Sequence, residues 1–395
     1  MVMRTYTITK KSREMKPVQR NPIIRNPLAK HLLCLLLLLS GWMPTHAQIK
    51  TLYGTSVKAE ALDRYLTRQM DSIGIPGVSI AIINNGKIVY HRAIGVANTA
   101  TKQPLDEQSI FEAASLSKTV FTYFVLKQVD KGLLSLDTPL YQYMEYPDIA
   151  YDDNYKLITA RMVLSHTTGF PNWRNYDLAD SSKHIKPGTL YLKFKPGTQY
   201  SYSGEGYYYL SQVIAKLNNC TLQSLDSLFQ KEVAVPLGLS QAWFSTNTFI
   251  EQHKVNGYRH GKLIKRWPAA LPQQDSTRFG AGGGLHTESV NYARFLIALM
   301  QGKGLSEKSA GMIFQPQVQL PVTGKDNEET AWGLGVAIVP VKNGTVYEHG
   351  GNNGNFQSYY RINRKTNSGY VFFTNCNYST ELNDSLIRFF SAGIR

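Results

Sequence analysis

The sequence lacks the features that several common functional classes require. Its 395 residues contain no fixed-period repeat and no low-complexity tract, which excludes a solenoid or a fibrous chain. There is no Gly-x-Ser-x-Gly motif, which argues against an α/β-hydrolase, and no HExxH or paired Cys/His spacing that would indicate a metal. There is also no dense run of lysine and arginine, so nucleic acid is not an expected partner.

Cysteine is scarce, and positive charge is concentrated at the N-terminus. The formal net charge is +15, but residues 31–395 carry only +8 (35 basic minus 27 acidic). A basic segment that ends at Lys30, an apolar run over residues 32–39 and a small-residue cleavage site predict a secretory signal peptide over residues 1–47. We therefore expect an exported protein, periplasmic or secreted, with no stable membrane span after cleavage. An uncleaved anchor is the alternative.

Two cysteines remain after the predicted cleavage, Cys220 and Cys376, since Cys34 lies within the apolar run. In an exported protein these two could form a disulfide, and two free buried thiols are the alternative. The mature domain, residues 48–395, is long enough to bury a large core.

Strand patterns occur near both ends of the mature chain. Residues 78–83 and 87–94 flank an Asn-Asn-Gly turn and predict a β-hairpin. Late strands are predicted at residues 334–339, 345–349, 356–362 and 369–374, and terminal helices at residues 57–71 and 379–390. We therefore predict an α+β fold with an antiparallel five-stranded sheet built from both chain ends and flanked by helices. The α/β part is placed at about residues 57–110 and 325–395, and an all-helical lobe is inserted at about residues 111–324.

The segment around Ser115 carries the first candidate for chemistry. Ser115 and Lys118 form the only Ser-x-x-Lys pair in the sequence, and the apolar run over residues 120–126 is typical of a buried helix. Ser115 would lie at the helix start, where unpaired N–H groups favour negative charge, with Lys118 one turn along. Burial lowers the pKa of a lysine, so a neutral Lys118 could accept the proton of the Ser115 hydroxyl. Because so short a motif also arises by chance, a helix-capping serine and a solvated lysine are the alternative.

Two later segments supply further candidates. Tyr202 precedes a predicted helix, and nearby positive charge would lower the pKa of its hydroxyl and make it a general acid or base. His349, Gly350 and Gly351 end a predicted strand, where the two glycines let a substrate lie against backbone N–H groups that could bind an oxyanion. His349 could hold a substrate carboxylate or carbonyl, or polarise the tyrosine and the lysine. A packing tyrosine and a turn histidine are the alternatives.

Two other segments have a structural interpretation. His166 follows a helix that begins near Ile158, and we expect it to fix its loop by hydrogen bonds rather than to catalyse. The glycine-rich segment 280–285 is not followed by Lys-Ser/Thr, so a close backbone approach near the cleft is favoured over a phosphate-binding loop.

In this order, the motifs resemble the serine β-lactamase and penicillin-binding protein superfamily, and most of all its class C-type branch of β-lactamases, D-peptidases and esterases. The resemblance covers about residues 57–390. It is carried by residues 86–90, 115–118, 164–169, 196–197, 282–285 and 332–335. The shared order of these segments is far more specific than any one of them.

The resemblance implies a β-lactamase/transpeptidase-like fold and a covalent serine mechanism. Ser115 would attack the carbonyl and form an acyl-enzyme, Lys118 and Tyr202 would relay the proton, and His349 stands where the family has lysine or histidine. The backbone N–H groups of Ser115 and Asn352 would form the oxyanion hole. No metal and no organic cofactor is implied, and the expected partner is a small acyl substrate, which is a peptide, an ester or a β-lactam.

Two positions depart from the family pattern. The family motif Tyr-x-Asn is Tyr202-Ser203-Gly204 here, and Gly204 has no side chain to bind the amide of an acyl group, while Glu205 would bring charge. His349 replaces the lysine of lactamases and would be mostly neutral near pH 7, which makes it a weaker carboxylate anchor. We therefore expect an exported serine hydrolase of the D-peptidase or esterase type, with β-lactamase activity less favoured. The alternative is a penicillin-binding-type sensor with little or no turnover.

Overall fold

The structure is a computed structural model that describes residues 48–175, 186, 188–264, 277–320, 328–342 and 344–392. The predicted signal peptide and its boundary at residue 47 lie outside the described residues and stay predictions. The strands are β1 (Gln48–Lys50), β2 (Ser56–Lys58), β3 (Gly77–Asn84), β4 (Lys87–Asn98), β5 (Gln103–Pro104), β6 (Phe111–Glu112), β7 (Ala242–Trp243), β8 (Gly257–Arg259), β9 (Lys262–Ile264), β10 (His286–Thr287), β11 (Val318–Gln319), β12 (Ala331–Trp332), β13 (Ala337–Val341), β14 (Gly344–Asn352), β15 (Gln357–Asn363) and β16 (Ser368–Thr374). The α-helices are α1 (Ala59–Ile73), α2 (Ser117–Asp130), α3 (Ala160–Leu164), α4 (Gly204–Leu217), α5 (Leu225–Phe229), α6 (Val235–Leu237), α7 (Thr248–His253), α8 (Ser289–Gln301), α9 (Glu307–Ile313) and α10 (Ser379–Ser391).

An antiparallel sheet joins the two ends of the mature chain. Within the described residues it has nine strands in the order β11-β12-β13-β14-β15-β16-β3-β4-β5, and β16 pairs with β3. Successive side chains of a strand point to opposite faces, so Ile80 enters one apolar cluster and Ala81 the other. Helices α1 and α10 cover the first face, where the rings of Tyr65 and Phe389 stack with centroids 4.2 Å apart. Helix α8 packs against the second face.

The predicted α+β class is confirmed, and the structure corrects three details. The sheet exceeds the predicted five strands because it has six long strands (β3, β4 and β13–β16) and because three strands of two residues (β5, β11 and β12) extend it. Strands of two residues have too little periodicity to be recognised from sequence. For the same reason the lobe predicted to be all-helical contains a three-stranded sheet (β6, β10, β7) and a hairpin (β8, β9). The strand predicted from residue 334 begins at Ala337, because Gly335 has a φ of 69° and forms a turn.

Helix α2 is buried on nearly all sides, as its apolar run predicts. On the lobe side, the rings of Phe121 and Phe124 pack against Phe279, with centroids 5.9 and 6.1 Å away. This packing fixes the start of α2 between the sheet and the lobe. Cys220 and Cys376 are both free thiols, so the disulfide alternative is wrong in this structure.

Candidate active site

Ser115 lies in a tight turn that connects strand β6 to helix α2. Ala114–Leu116 form one 3-10 turn, and the α-helix begins at Ser117, two residues later than the sequence interpretation placed it. Ala114 has a φ of 47°, a left-handed conformation that costs a non-glycine residue about 1–2 kcal/mol. Strain of this kind is common at functional sites, where the surrounding structure holds it in place.

Hydroxyl groups from two distant parts of the chain hold this turn. Ser117 Oγ donates to Ala114 O over 2.5 Å, and Ser358 Oγ donates to Ala113 O over 2.7 Å. Strand β14 approaches the same turn at Gly351, where a Cβ would lie only 2.5 Å from Ala113 O. Glycine at this position is therefore required by the close contact. The sequence analysis missed Ser358, because nothing in the sequence links residues 245 positions apart.

Lys118 contacts the hydroxyl of Ser115 from inside the protein. Its Nζ donates to Ser115 Oγ over 3.3 Å and to Gly282 O over 2.5 Å, and the side chain is fully buried. Burial lowers the pKa of Lys118 to about 7. The predicted lowering is confirmed, and the alternative of a solvated lysine is wrong. Near neutral pH a large share of Lys118 is therefore the free amine, which can accept a proton.

The glycine-rich segment folds back on itself beside Lys118. Gly284 N donates to Gly280 O over 2.7 Å, and a Cβ on Gly280 would lie 2.8 Å from Gly284 Cα. Leu285 N, at its end, donates to Ser117 Oγ over 2.9 Å. The predicted close backbone approach is confirmed, and it presents the carbonyl of Gly282 to the lysine.

Tyr202 lies beside Lys118, whose Nζ is 4.7 Å from the centroid of the tyrosine ring. The Tyr202 hydroxyl is buried and has no hydrogen-bond partner among the described residues. Burial raises the pKa of Tyr202 well above 10, and the nearby Ser115 side chain only partly opposes this shift. The expectation that positive charge lowers this pKa is wrong, because burial dominates. Tyr202 therefore stays protonated at neutral pH and can donate a proton.

His166 fixes the loop that carries Tyr202. Its Nδ1 accepts a hydrogen bond from Ser203 N over 3.0 Å, and its carbonyl accepts one from Ser201 N over 2.8 Å. Its ring lies over the ring of Tyr202, with centroids 4.2 Å apart. Burial lowers the pKa of His166 well below 6.5, so the imidazole is neutral. The predicted loop-fixing role is confirmed.

His349 lies in β14 and borders the part of the candidate site that contains Tyr202 and Lys118. Its Nδ1 is 2.7 Å from Gly350 O, so Nδ1 carries the proton and Nε2, which is buried and without a partner among the described residues, can only accept one. Burial, with a contribution from Lys118, lowers the pKa of His349 to about 3. The histidine is therefore uncharged at neutral pH. It is suited to accept a hydrogen bond and unsuited to anchor a carboxylate.

Asn352 ends β14, and its Oδ1 accepts a hydrogen bond from Gly354 N over 2.7 Å. Gly350 lies against the ring of Tyr359, 3.3 Å from the position that a Cβ would take. The oxyanion hole formed by the N–H groups of Ser115 and Asn352, and the substrate-binding role of Gly350 and Gly351, stay predictions.

Trp173 covers Gly204, the position where the family motif has asparagine. A Cβ on Gly204 would lie 2.5 Å from Cη2 of Trp173, and a Cβ on Gly282 would lie 3.1 Å from the same atom. The ring centroid of Trp173 is 6.0 Å from Lys118 Nζ. The sequence analysis missed Trp173, because its only signal is the missing side chain at Gly204.

Glu205 does not bring a free charge to the cleft. Its carboxylate is fully buried and binds Arg174, with Nε to Oε1 at 3.1 Å and Nη2 to Oε2 at 2.8 Å. The expectation for Glu205 was therefore wrong, because the charge is paired. Helix α4 begins beside it at Gly204, where Ser203 Oγ accepts from Gly206 N over 3.1 Å.

In the part of the chain that the structure describes, no group of three or more His, Cys, Asp and Glu side chains is placed to hold a metal ion. No helix among these residues has the length and apolar character needed to cross a membrane.

Comparison with known proteins identifies the family that this chain matches. A family model described as Beta-lactamase matches residues 62–389. Esterase EstB of Burkholderia gladioli is 26% identical over 207 residues, which is 47% of this chain and 51% of the relative. Protein flp of Staphylococcus aureus (strain COL) is 24% identical over 213 residues, 52% of this chain and 42% of the relative. The chain thus spans about half the length of the curated relatives it matches.

A solved structure supports the fold. The octameric penicillin-binding protein homologue from Pyrococcus abyssi superposes with a TM-score of 0.67 at 20% identity, over 82% of this chain and 77% of the other. At this identity the match shows the shared β-lactamase/transpeptidase-like fold.

Proposed function

Because this chain belongs to the β-lactamase family of serine hydrolases, we propose that it forms an acyl-enzyme on Ser115 and hydrolyses esters in preference to β-lactams and D-peptides. The observation that carries the proposal is the 3.3 Å hydrogen bond from Lys118 Nζ to Ser115 Oγ. The pKa of this lysine, about 7, suits a general base at neutral pH.

The proposed reaction follows from these protonation states. Lys118, as the free amine, takes the proton of Ser115 while Oγ forms a bond to the carbonyl carbon. The resulting oxyanion would be stabilised by the N–H groups of Ser115 and Asn352. The bond to the leaving alkoxide then breaks, and the alkoxide takes a proton from the Tyr202 hydroxyl, which Lys118 reprotonates. Attack by water, with proton transfer through the same pair, releases the acid and regenerates Ser115.

The preference for esters is supported by the charge of the site. A peptidase that acts at a free C-terminus must stabilise the carboxylate of its substrate, and such a group is costly to bury without a cation. Lys118 and His349 have pKa values lowered to about 7 and about 3, so neither supplies a permanent positive charge. The relative EstB, named an esterase, is consistent with this choice.

The test is the intact mass of the protein over time with a fluorophosphonate, an activated aryl ester and a penicillin, with Ser115→Ala alongside. We expect a Ser115-dependent adduct from every reagent, with the ester adduct clearing fastest and the penicillin adduct persisting. An ester adduct that never clears would instead support a sensor with little turnover. If no reagent adds mass to the wild-type protein, the acyl-serine proposal is wrong.

We also propose that the protein is exported, on the basis of the basic and apolar segments before residue 47. The mass of the protein recovered from cells of its source tests this proposal. A chain that begins at Gln48 is expected, and a chain that retains residues 1–47 in the cytoplasmic fraction would contradict it.

A further inference from the structure

An aromatic ring closes one side of the cleft next to the candidate nucleophile. Cη2 of Trp173 lies above Gly204 and close to Gly282, and the ring centroid is 6.0 Å from the amine of Lys118. That amine is 3.3 Å from Ser115 Oγ. The ring is therefore within reach of one substituent of a carbonyl held at Ser115. It is also only partly buried, so some of its surface is open to a ligand.

A network of hydrogen bonds and ion pairs fixes the segment that carries this ring. On one side of Trp173, Asn172 O and Oδ1 each accept from Gly204 N over 3.0 Å. On its other side, Arg174 binds the fully buried Glu205 and, through Nη1, Asp148 at 2.6 Å. The ring is thus held against helix α4 from both neighbouring residues, and its position is a feature of the fold.

Gly204 and Trp173 form a matched pair. A Cβ at residue 204 would lie 2.5 Å from Cη2 of the indole ring and 2.8 Å from Cζ3, so any larger residue would displace the ring. The same wall of the cleft therefore presents either a side chain from position 204 or the ring of Trp173. In this protein it presents the ring.

We propose that Trp173 is a specificity-determining residue that receives the acyl substituent of the substrate on its ring, and that the substrates are esters of uncharged aromatic acids. This inference rests on the proposed function. A flat aromatic acyl group gains ring–ring contact in addition to burial of its apolar surface. A charged acyl group would lose hydration beside an indole ring, and the neighbouring guanidinium of Arg174 is already paired with Glu205 and Asp148.

The experiment compares two esters with the same leaving group, p-nitrophenyl acetate and p-nitrophenyl phenylacetate, so that differences report the acyl group alone. We expect the wild-type protein to prefer the phenylacetate. Trp173→Ala is expected to lower kcat/KM for the phenylacetate about tenfold, because the variant loses one aromatic contact and the apolar area buried in it. The same variant should change kcat/KM for the acetate by less than about threefold, since the acetyl group does not reach the ring. Trp173→Phe, which keeps a ring, is expected to retain most of the preference.

Gly204→Ala gives an independent test, because it displaces the ring without removing it. It should reduce the preference for phenylacetate in the same direction, and it decides the question if Trp173→Ala does not fold. Equal losses on both esters, or a wild-type protein that does not prefer the phenylacetate, would overturn the inference.

Failure of the inference is distinguishable from failure of the proposed function. If the wild-type protein labels at Ser115 with a fluorophosphonate and hydrolyses both esters, but the ratio of the two rates is insensitive to residues 173 and 204, only the inference fails. If the wild-type protein neither labels nor hydrolyses, the proposed function fails and the inference with it.

Discussion

The two sides of the cleft differ in how closely they follow the family pattern. The nucleophile side, which comprises Ser115, Lys118 and segment 280–285, keeps the motifs and fixes them with short hydrogen bonds to backbone carbonyls and N–H groups. The recognition side, which comprises Trp173, Gly204 and His349, departs from the motifs and presents an indole ring and a neutral imidazole. Proton transfer tolerates little displacement of the reacting groups, so the nucleophile side is constrained. The shape and charge of a substrate-binding surface, in contrast, can be altered by exchanging a few side chains.

Removing the base from the nucleophile side should have the largest effect. Lys118→Met keeps the length and apolar stem but cannot accept a proton, and we expect kcat/KM for an aryl ester to fall by about 10²–10⁴-fold. Lys127→Met is the matched control, because Lys127 lies on the same helix and donates to Gly304 O at an exposed position. A Lys118→Met protein with nearly full activity would show that Lys118 is not the base.

On the recognition side, Glu205→Gln should cause the next largest change. The substitution removes the buried partner of Arg174, although Asp148 still contacts the guanidinium. We expect the free energy of unfolding to fall by about 2–3 kcal/mol, somewhat below the usual value for breaking a buried pair. Asp153→Asn, which breaks an exposed pair with Lys156, is the control and should not change the denaturation midpoint. Equal midpoints for both variants would mean that the buried pair does not hold the segment around Trp173.

The same Lys118→Met variant should be more stable than the wild-type protein, by on the order of 1–3 kcal/mol at pH 6, because a buried amine is replaced by an apolar group. The folded-state pKa of Lys118, about 7, lies below its ordinary value of 10.5. Between pH 7 and pH 10.5 Lys118 is therefore more protonated in the unfolded state than in the folded state. The buried lysine lowers the free energy of unfolding by its full amount below pH 7, and by less and less as the pH rises toward 10.5. Urea denaturation at pH 6 and pH 9 measures this difference, which should be smaller at pH 9. If the stability difference between Lys118→Met and the wild-type protein were larger at pH 9 than at pH 6, the lowered pKa of Lys118 would be contradicted.

His349→Gln should have the smallest effect. Glutamine keeps a hydrogen-bonding group without charge, and since His349 is already neutral above about pH 3, we expect less than about a tenfold loss in kcat/KM. The apparent pKa of the pH–rate profile should stay where it is in the wild-type protein. If the pH–rate profile of His349→Gln no longer showed this apparent pKa, the group that titrates would be His349 and not Lys118.

Local sequence patterns predicted the nucleophile side well. The spacing of Ser115 and Lys118 and the apolar run after them define one turn of a buried helix, so both the proximity and the lowered pKa of the lysine follow from local structure. The sheet is predictable for a similar reason, because its long strands have clear apolar and β-branched patterns between turn residues.

The recognition side depended on contacts that no local pattern shows. The ion pair of Arg174 with Glu205 and the contact of Trp173 with Gly204 join residues 31 positions apart, and they form only when the lobe packs. The pKa shift of Tyr202 was predicted in the wrong direction. Its direction depends on whether the effect of burial or the effect of nearby charge is larger, and the sequence gives the size of neither effect.

The most direct test of the account is the pH dependence of the rate at which Ser115 is acylated by a fluorophosphonate, measured from pH 5 to pH 9. Protonated Lys118 cannot take the proton of Ser115, so the rate should rise with pH and reach half its plateau near 7. Burial raises the pKa of Tyr202 well above 10, so Tyr202 stays protonated across this range and the midpoint reports Lys118. A rate that is independent of pH over this range, or that falls as the pH rises, would contradict the assignment of a neutral buried lysine as the base.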